Sequence, residues 1–218
     1  LSLKHIVIDE AQDYGEFQFY VLNLILENNK SLTILGDIAQ GIYAYRGTNN
    51  WEHINHVIFN DEASIERLDR SYRTTIEIMN AANSVLSKIS EKENINLAIP
   101  VERHVNKVNF IDTKKESEKL YIIQNRINNL LNENFKNIAI ITKDLNGSKK
   151  LYNKLKRNFD IQLIEENIEK YDGGITIIPS YLSKGLEFDN VIIYDYNNFD
   201  ESSIEIKLLY VSLDSLHI

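Results

Sequence analysis

Two short apolar runs near the start of the chain are each followed by acidic residues, and this pattern constrains the fold most. Asp9 and Glu10 follow the run at 6–8, and Asp37 follows the run at 32–35 after a single glycine. Such short runs are typical of buried strands in a parallel sheet. Ligands of open α/β sheets bind at the carboxyl ends of these strands. The sequence therefore predicts an α/β fold with acidic residues at one sheet edge.

The residue types at these strand ends suit phosphate chemistry. Asp9 could hold Mg²⁺ on a nucleotide, and Glu10 could orient or deprotonate a water molecule. Gln40, shortly after the second run, could sense a terminal phosphate or position a water. The alternative interpretation is a strand followed by a solvated acidic turn. The complete segment DEAQD at 9–13, together with the second motif, favours the phosphate site.

Aromatic residues surround an arginine in the segment IYAYRG at 42–47. Tyr45 and Arg46 suit base stacking combined with phosphate contact. Tyr43 could stack in the same way or could simply pack against the protein. We interpret Trp51, a few residues later, as a packing residue rather than a base-stacking one.

Apolar runs alternate with helical patterns along the whole chain, which is typical of α/β proteins. The pattern predicts strands at 4–9, 32–36, 64–68, 107–112, 137–142, 160–164, 175–179 and 190–195. It predicts helices at 15–28, 74–90, 115–133, 147–158 and 203–213. Helical spacing in the first helix predicts a buried face made of Phe17, Val21, Leu24 and Ile25. Phe188 is predicted to be a core residue.

Composition narrows the class of protein further. The 218 residues include no cysteine and five scattered histidines, which argues against disulfides and a zinc site. We find no membrane-spanning run and no signal-peptide pattern, so we expect a cytoplasmic protein without a membrane partner.

The charge is unevenly distributed along the chain. The formal net charge of −8 is unfavourable for a nucleic-acid binder, although residues 104–160 carry 12 Lys and Arg against 6 Asp and Glu. Five of these basic residues fall on the predicted helix 147–158, namely Lys149, Lys150, Lys154, Lys156 and Arg157. They form either a solvated helix face or a nucleic-acid patch, and the solvated face is the simpler interpretation.

Five motifs, in order, resemble those of the UvrD/Rep-type superfamily 1 helicases. DEAQD resembles their Walker B motif, and GDIAQGIYAYRG resembles their GDxxQ motif with its IYxxRG extension. LDRSYRTT at 68–75, PSYLSKGLEFDNVII at 179–193 and LLYVSLDSLHI at 208–218 resemble three later motifs. The resemblance implies a RecA-like fold of the P-loop NTPase class. Residues 1–63 would be the end of a first RecA-like domain, and residues 64–218 would be a second one.

The resemblance also implies roles in ATP hydrolysis. ATP and Mg²⁺ would bind between the two RecA-like domains, with Asp9 on the metal and Glu10 activating the water. Gln40 would sense the γ-phosphate, and Arg73 would reach it from the second domain. A simple surface ion pair is the alternative role for Arg73.

Further residues are implied in binding. Either Tyr72 or Tyr43 would stack near the adenine, the family favouring Tyr72. Glu187 would contact the ribose, or would merely be a charge at a helix N-terminus. Tyr45 and Arg46 would contact single-stranded DNA. Tyr181 and Lys184 would lie near the DNA strand or at the domain interface.

A narrower resemblance points to the subgroup of bacterial proteins related to helicase IV, whose Gram-positive members bind and recycle RNA polymerase. Pro179 and Tyr181 replace the Thr and His of the wider family, as in that subgroup. Only about 16 residues separate the predicted helix 74–90 from the next strand, too few for the family's inserted domain. RNA polymerase is therefore an alternative partner to single-stranded DNA.

Two motif elements of the family are missing. No G-x-x-x-x-G-K-[ST] loop occurs, so we expect the chain to be a fragment whose phosphate-binding half lies upstream. We also expect that the chain alone does not hydrolyse ATP. The arginine of the last family motif is absent after Leu213, which puts an arginine finger in doubt.

Overall fold

Pairs and sheets of parallel strands, with helices between them in sequence, make up the fold. The computed structural model describes residues 4–26, 31–43, 47–72, 74–104, 107–166 and 173–216. The chain forms two compact units, residues 1–69 with 89–97 and residues 70–88 with 98–218. The predicted α/β class with parallel sheets is confirmed. The predicted domain boundary after residue 63 stays a prediction.

The first unit is built around two parallel strands and two helices. Strand β1 (Ile6–Ile8) pairs in parallel with β2 (Leu32–Ile34), and helix α1 (Glu16–Ile25) connects them. Helix α2 (Trp51–Phe59) follows and packs on α1. The core of this unit consists of Ile8, Ala11, Phe19, Ile54 and Ile58.

The second unit begins with a short strand pair. Strand β3 (Arg70–Ser71) pairs in parallel with β4 (Ile99–Pro100), and helix α3 (Ile76–Ser90) lies between them in sequence.

A four-stranded parallel sheet forms the body of the second unit, with the order β6-β7-β5-β8. Its strands are β5 (Asn137–Thr142), β6 (Ile161–Leu163), β7 (Gly174–Pro179) and β8 (Asn190–Ile193). The helices are α4 (Glu116–Asn132), α5 (Leu145–Leu155) and α6 (Ser203–Asp214).

Strand β5 is buried on both faces, which explains its continuous apolar sequence. Ile138 and Ile140 pack with apolar residues of α4 and α5 in one cluster. Ala139 and Ile141 point the opposite way and pack with Phe188 in a second cluster. Phe188 is buried, as predicted.

Two predicted strands are wrong. Residues 64–68 are exposed and form no strand, with Leu68 89% exposed, and residues 107–112 also form no strand. Both segments carry β-type residues, but neither is paired with a described strand. Phe110 instead places its ring against Tyr196, with the ring centres 5.9 Å apart.

The predicted buried face of the first helix is also wrong. Phe17, Leu24 and Ile25 are exposed and Val21 is half-buried, whereas Phe19 is 0% exposed. Apolar residues surround most of α1, so spacing alone does not select one face. The rings of Tyr14 and Trp51 flank Phe19 and show which face is packed.

Helix α2 was not predicted, although its boundaries are marked in the sequence. The Asn50 side chain accepts a hydrogen bond from the His53 amide at 2.9 Å, as a helix-capping residue does. Ile54 and Ile58, four residues apart, supply its buried face. Among the described helices, none combines the length and the apolar character that a membrane-spanning segment needs.

We expect Phe19→Ala to destabilise the first unit by about 3–5 kcal/mol, because it removes a fully buried ring. Trp51 is the only tryptophan and touches Phe19, so its fluorescence during urea unfolding reports on this unit. Phe17→Ala, on the exposed side of the same helix, is the matched control and should change stability little. A larger loss for the Phe17 variant would contradict the packing described above.

Candidate functional site

The parallel pairing of β1 and β2 brings two loops of the first unit side by side. The Leu35 amide donates to the Ile8 carbonyl at 2.8 Å, and the Ala11 amide donates to the Leu35 carbonyl at 2.9 Å. Main-chain pairing thus continues past both strands. The acidic residues after β1 and the Gly36-Asp37 step after β2 therefore lie at the same sheet edge, as predicted.

Asp9 and Glu10 are both exposed at this edge. One Asp9 carboxylate oxygen accepts a hydrogen bond from the Glu10 amide at 2.8 Å. Glu10 has a φ of 53°, in the left-handed region that residues other than glycine rarely adopt. Strained main chain of this kind clusters at functional sites.

The side chain of Gln12 joins the two loops. It is 1% exposed, and its Nε2 donates to the Glu10 carboxylate at 2.8 Å. Its Oε1 accepts from the Asp37 amide at 3.0 Å. Sequence reasoning gave this residue no role, because its contact with Asp37 joins residues 25 positions apart.

The second loop forms a short helical turn at Ile38–Gln40. Asp37 caps this turn, since its carboxylate accepts a hydrogen bond from the Ala39 amide at 2.9 Å. Gln40 is half-buried at the end of the turn. Tyr43 is also half-buried, and its carbonyl accepts from the Gly47 amide at 2.9 Å.

Three predicted site residues lie outside the residues that the structure describes. They are Tyr45, Arg46 and Arg73.

The remaining predicted site residues belong to the second unit. Tyr72 follows β3 and is 66% exposed. Tyr181 lies in a helical turn after β7, and its hydroxyl donates to the Glu166 carboxylate at 3.3 Å. Lys184 is half-buried and Glu187 is exposed.

Serine hydroxyls hold the turn that carries Tyr181. Ser180 donates to the Lys143 carbonyl at 2.8 Å, which fixes the turn to the segment after β5. The buried hydroxyl of Ser183 donates to the Ser180 carbonyl at 2.8 Å. Gly185 follows with a φ of +76°, a conformation that favours glycine.

The basic residues of α5 are partly neutralised. Lys149 pairs with Glu165 at 2.7 Å, and Lys154 pairs with Glu116 of α4. The hydrogen bond from Lys154 lowers the pKa of Glu116, and the Tyr194 hydroxyl donates to the same carboxylate at 2.7 Å. Burial raises the pKa of Tyr194. These contacts favour a solvated, ion-paired helix face over a free basic patch.

The donor set at the first sheet edge fits Mg²⁺ only together with a phosphate ligand. Within the described residues, no group of three or more His, Cys, Asp or Glu side chains could hold a metal ion. Mg²⁺ commonly takes one or two carboxylates and completes its shell with water and substrate phosphates. The exposed carboxylate of Asp9 suits that mode of binding.

The fold and the residues at the strand ends define the class of protein. The chain is an α/β protein of RecA-like type. Residues 2–57 match the UvrD/REP helicase N-terminal domain, and residues 67–169 match the UvrD-like helicase C-terminal domain. The chain therefore belongs to the UvrD-like helicase family.

Curated relatives match the chain over less than half of its length. It is 33% identical over 91 residues to the ATP-dependent DNA helicase PcrA of Leuconostoc citreum, covering 42% of this chain and 12% of that protein. It is 32% identical over 94 residues to DNA helicase II of Haemophilus influenzae, covering 43% of this chain and 13% of that protein. The chain thus spans about an eighth of the length of these relatives.

One solved structure is also similar. It is the crystal structure of the C-terminal domain of a possible DNA helicase from Lactobacillus plantarum, with a TM-score of 0.49 and 20% sequence identity. The match covers 67% of this chain and 83% of that one.

We expect Gly47→Ala to destabilise the first unit by about 1–3 kcal/mol, the usual range for overpacking. A Cβ at this position would lie 2.3 Å from the Gln12 carbonyl oxygen, so the two loops would have to separate. Urea unfolding followed by Trp51 fluorescence measures the loss.

Gly147→Ala is the control, because its Cβ would meet its nearest atoms at an ordinary 3.5 Å. Circular dichroism should show unchanged or slightly higher stability for that variant, since alanine favours helix over glycine. Equal stability of Gly47→Ala and the wild type would contradict the close approach of the two loops.

Proposed function

We propose that this chain is part of an ATP-dependent DNA helicase or translocase, which couples ATP hydrolysis to movement on single-stranded DNA. The observation that carries the proposal is the Glu10 carboxylate, which accepts a hydrogen bond from the buried Gln12 amide, while the same amide accepts one from the main chain of Asp37. The match to both UvrD-like domains supports it.

The proposed chemistry assigns one task to each residue of this edge. Asp9 would hold Mg²⁺, which when bound would neutralise charge on the phosphate oxygens. Glu10 accepts the proton of a water whose oxygen bonds to the γ-phosphorus. The bond from that phosphorus to the β–γ bridging oxygen breaks, and ADP leaves with the electron pair. The side-chain NH₂ of Gln40 donates a hydrogen bond to the γ-phosphate, so the turn senses whether that phosphate is present.

Further assignments rest on the motif resemblance. Tyr72, with Tyr43 as the alternative, stacks on the adenine, and Glu187 contacts the ribose. The exposed ring of Tyr72 is compatible with stacking. Arg73 contributes positive charge at the γ-phosphate.

We expect Glu10→Gln in the full-length protein that contains this chain to lower kcat for ATP hydrolysis by about 10²–10⁴-fold, the range for losing a general base. ATP affinity should change little, because an amide of the same size replaces the carboxylate. Glu62→Gln is the control, an exposed carboxylate elsewhere in the same unit. Steady-state kinetics and nucleotide binding separate kcat from affinity. Unchanged kcat in Glu10→Gln would overturn the assignment.

A second candidate is an ATPase of the helicase IV-like subgroup that binds and recycles RNA polymerase. The net charge of −8 and the ion pairs of the α5 lysines favour it, because both weaken attraction to a nucleic-acid backbone. The subgroup resemblance also includes Tyr181, which stands where the wider family has His. Its hydroxyl donates a hydrogen bond to the Glu166 carboxylate.

Salt dependence distinguishes the two candidates. If the protein translocates on DNA, its affinity for single-stranded oligothymidylate should fall steeply with salt. In a plot of log binding constant against log salt concentration, each neutralised phosphate should contribute about −0.7 to the slope. Arg46→Ala should then reduce the slope by about that amount, and Arg126→Ala, outside the motifs, serves as the control. Fluorescence anisotropy measures both. Failure to bind DNA, together with binding to RNA polymerase, would favour the second candidate.

A further inference from the structure

The side-chain amide of Gln12 bonds to both candidate catalytic loops of the first unit. It lies two residues after Glu10 and 25 residues before Asp37 in sequence. Buried polar groups in proteins are nearly always hydrogen-bonded, and both ends of this amide have partners.

Chemistry fixes the orientation of the amide. The Asp37 main-chain N–H can only donate, so the Gln12 oxygen must face it. A carboxylate oxygen of Glu10 accepts from the other end of the amide, so the Gln12 NH₂ group must face that side. A flipped amide would place a donor against a donor and an oxygen against an oxygen.

Close packing holds the residue in this orientation. A Cβ at Gly36 would lie 2.8 Å from Gln12 Oε1 and 2.9 Å from the main-chain nitrogen of Gln12, so only glycine permits the approach. The Gln12 carbonyl accepts a hydrogen bond from the Thr48 amide at 3.1 Å. Segments on both sides of Gln12 therefore restrict its backbone and side chain.

We propose that Gln12 is a positioning residue that holds the Glu10 carboxylate at a fixed place relative to the Asp37 main chain. Asp37 caps the turn that ends in Gln40, so the amide ties the proposed base to the proposed phosphate sensor. The inference rests on the proposed function, since it assigns Gln12 a task in the same hydrolysis.

The consequence for catalysis is geometric. The Glu10 side chain is exposed, and the hydrogen bond from Gln12 restricts the rotamers that it can adopt. A general base must lie within hydrogen-bond reach of the water it deprotonates, and a displacement of about 1 Å can cost about 10²-fold in rate. Loss of the amide should therefore lower kcat and leave substrate binding largely intact.

Two substitutions separate the two ends of the amide. Gln12→Glu keeps an oxygen acceptor for the Asp37 amide but replaces the donor to Glu10 with a second carboxylate. Gln12→Met keeps the size of the side chain and removes both hydrogen bonds. Gln18→Met is the matched control, because the Gln18 amide is exposed and accepts from the Gly15 amide at the start of α1.

The first measurement is steady-state ATP hydrolysis by the full-length protein that contains this chain. Both Gln12 variants should lose about 10-fold to 100-fold in kcat with KM changed less than about threefold, and Gln18→Met should retain wild-type kcat. Wild-type kcat in Gln12→Glu would overturn the positioning role. A purely structural role predicts that Gln12→Glu, which keeps the Asp37 contact, resembles the wild type.

The second measurement is hydrogen exchange by NMR in the 218-residue chain, which needs no activity. The Asp37 amide should exchange at least about tenfold faster in Gln12→Met than in the wild type or Gln12→Glu. The side-chain NH₂ of Gln12 should exchange faster in Glu10→Ala. Unchanged exchange at both groups would show that the bridge does not exist. If the wild type is inactive but these exchange differences are seen, the proposed function is rejected and the hydrogen bonds of Gln12 to Glu10 and Asp37 are still supported.

Discussion

The parallel pairing of β1 with β2 is the interaction on which the candidate site depends. Two main-chain hydrogen bonds beyond the strands, between Leu35 and the residues Ile8 and Ala11, carry this pairing into the loops. Without it, the carboxylates after β1 and the capped turn after β2 would belong to unrelated surface loops. The strands themselves are only three residues long, so their helices and core residues must stabilise the pair.

The buried Gln12 amide then holds the two neighbouring loops in a defined arrangement. Apolar packing around Phe19 is non-directional and would tolerate small shifts of one loop against the other. The Gln12 amide tolerates few shifts, because its donor and acceptor must each meet a specific partner and the side chain itself is buried. Packing thus supplies stability, and the amide supplies the geometry that a catalytic carboxylate requires.

Strands in the centre of a sheet were predictable from sequence, but the absence of pairing at two strand-like segments was not. The range predicted for β5 agrees with the structure at both ends, because burial on both faces imposes an uninterrupted apolar run. Residues 64–68 and 107–112 have strand-like composition but no pairing in the described structure, and composition does not report whether a partner strand is nearby. The buried face of α1 was lost for a similar reason, since apolar residues cover most of that helix.

The same distinction holds for the candidate site. Asp9 and Glu10 could be assigned because a strand end and two carboxylates are adjacent in sequence. The role of Gln12 could not, because it depends on a main-chain amide 25 residues away that only the fold brings within 3.0 Å. For the lysines of α5, the sequence suggested a basic patch that the fold does not leave free. Lys149 and Lys154 pair with Glu165 and Glu116, which lie on other segments. Motifs thus identify the groups that can react, and contacts between distant segments decide which of those groups are held in place to do so.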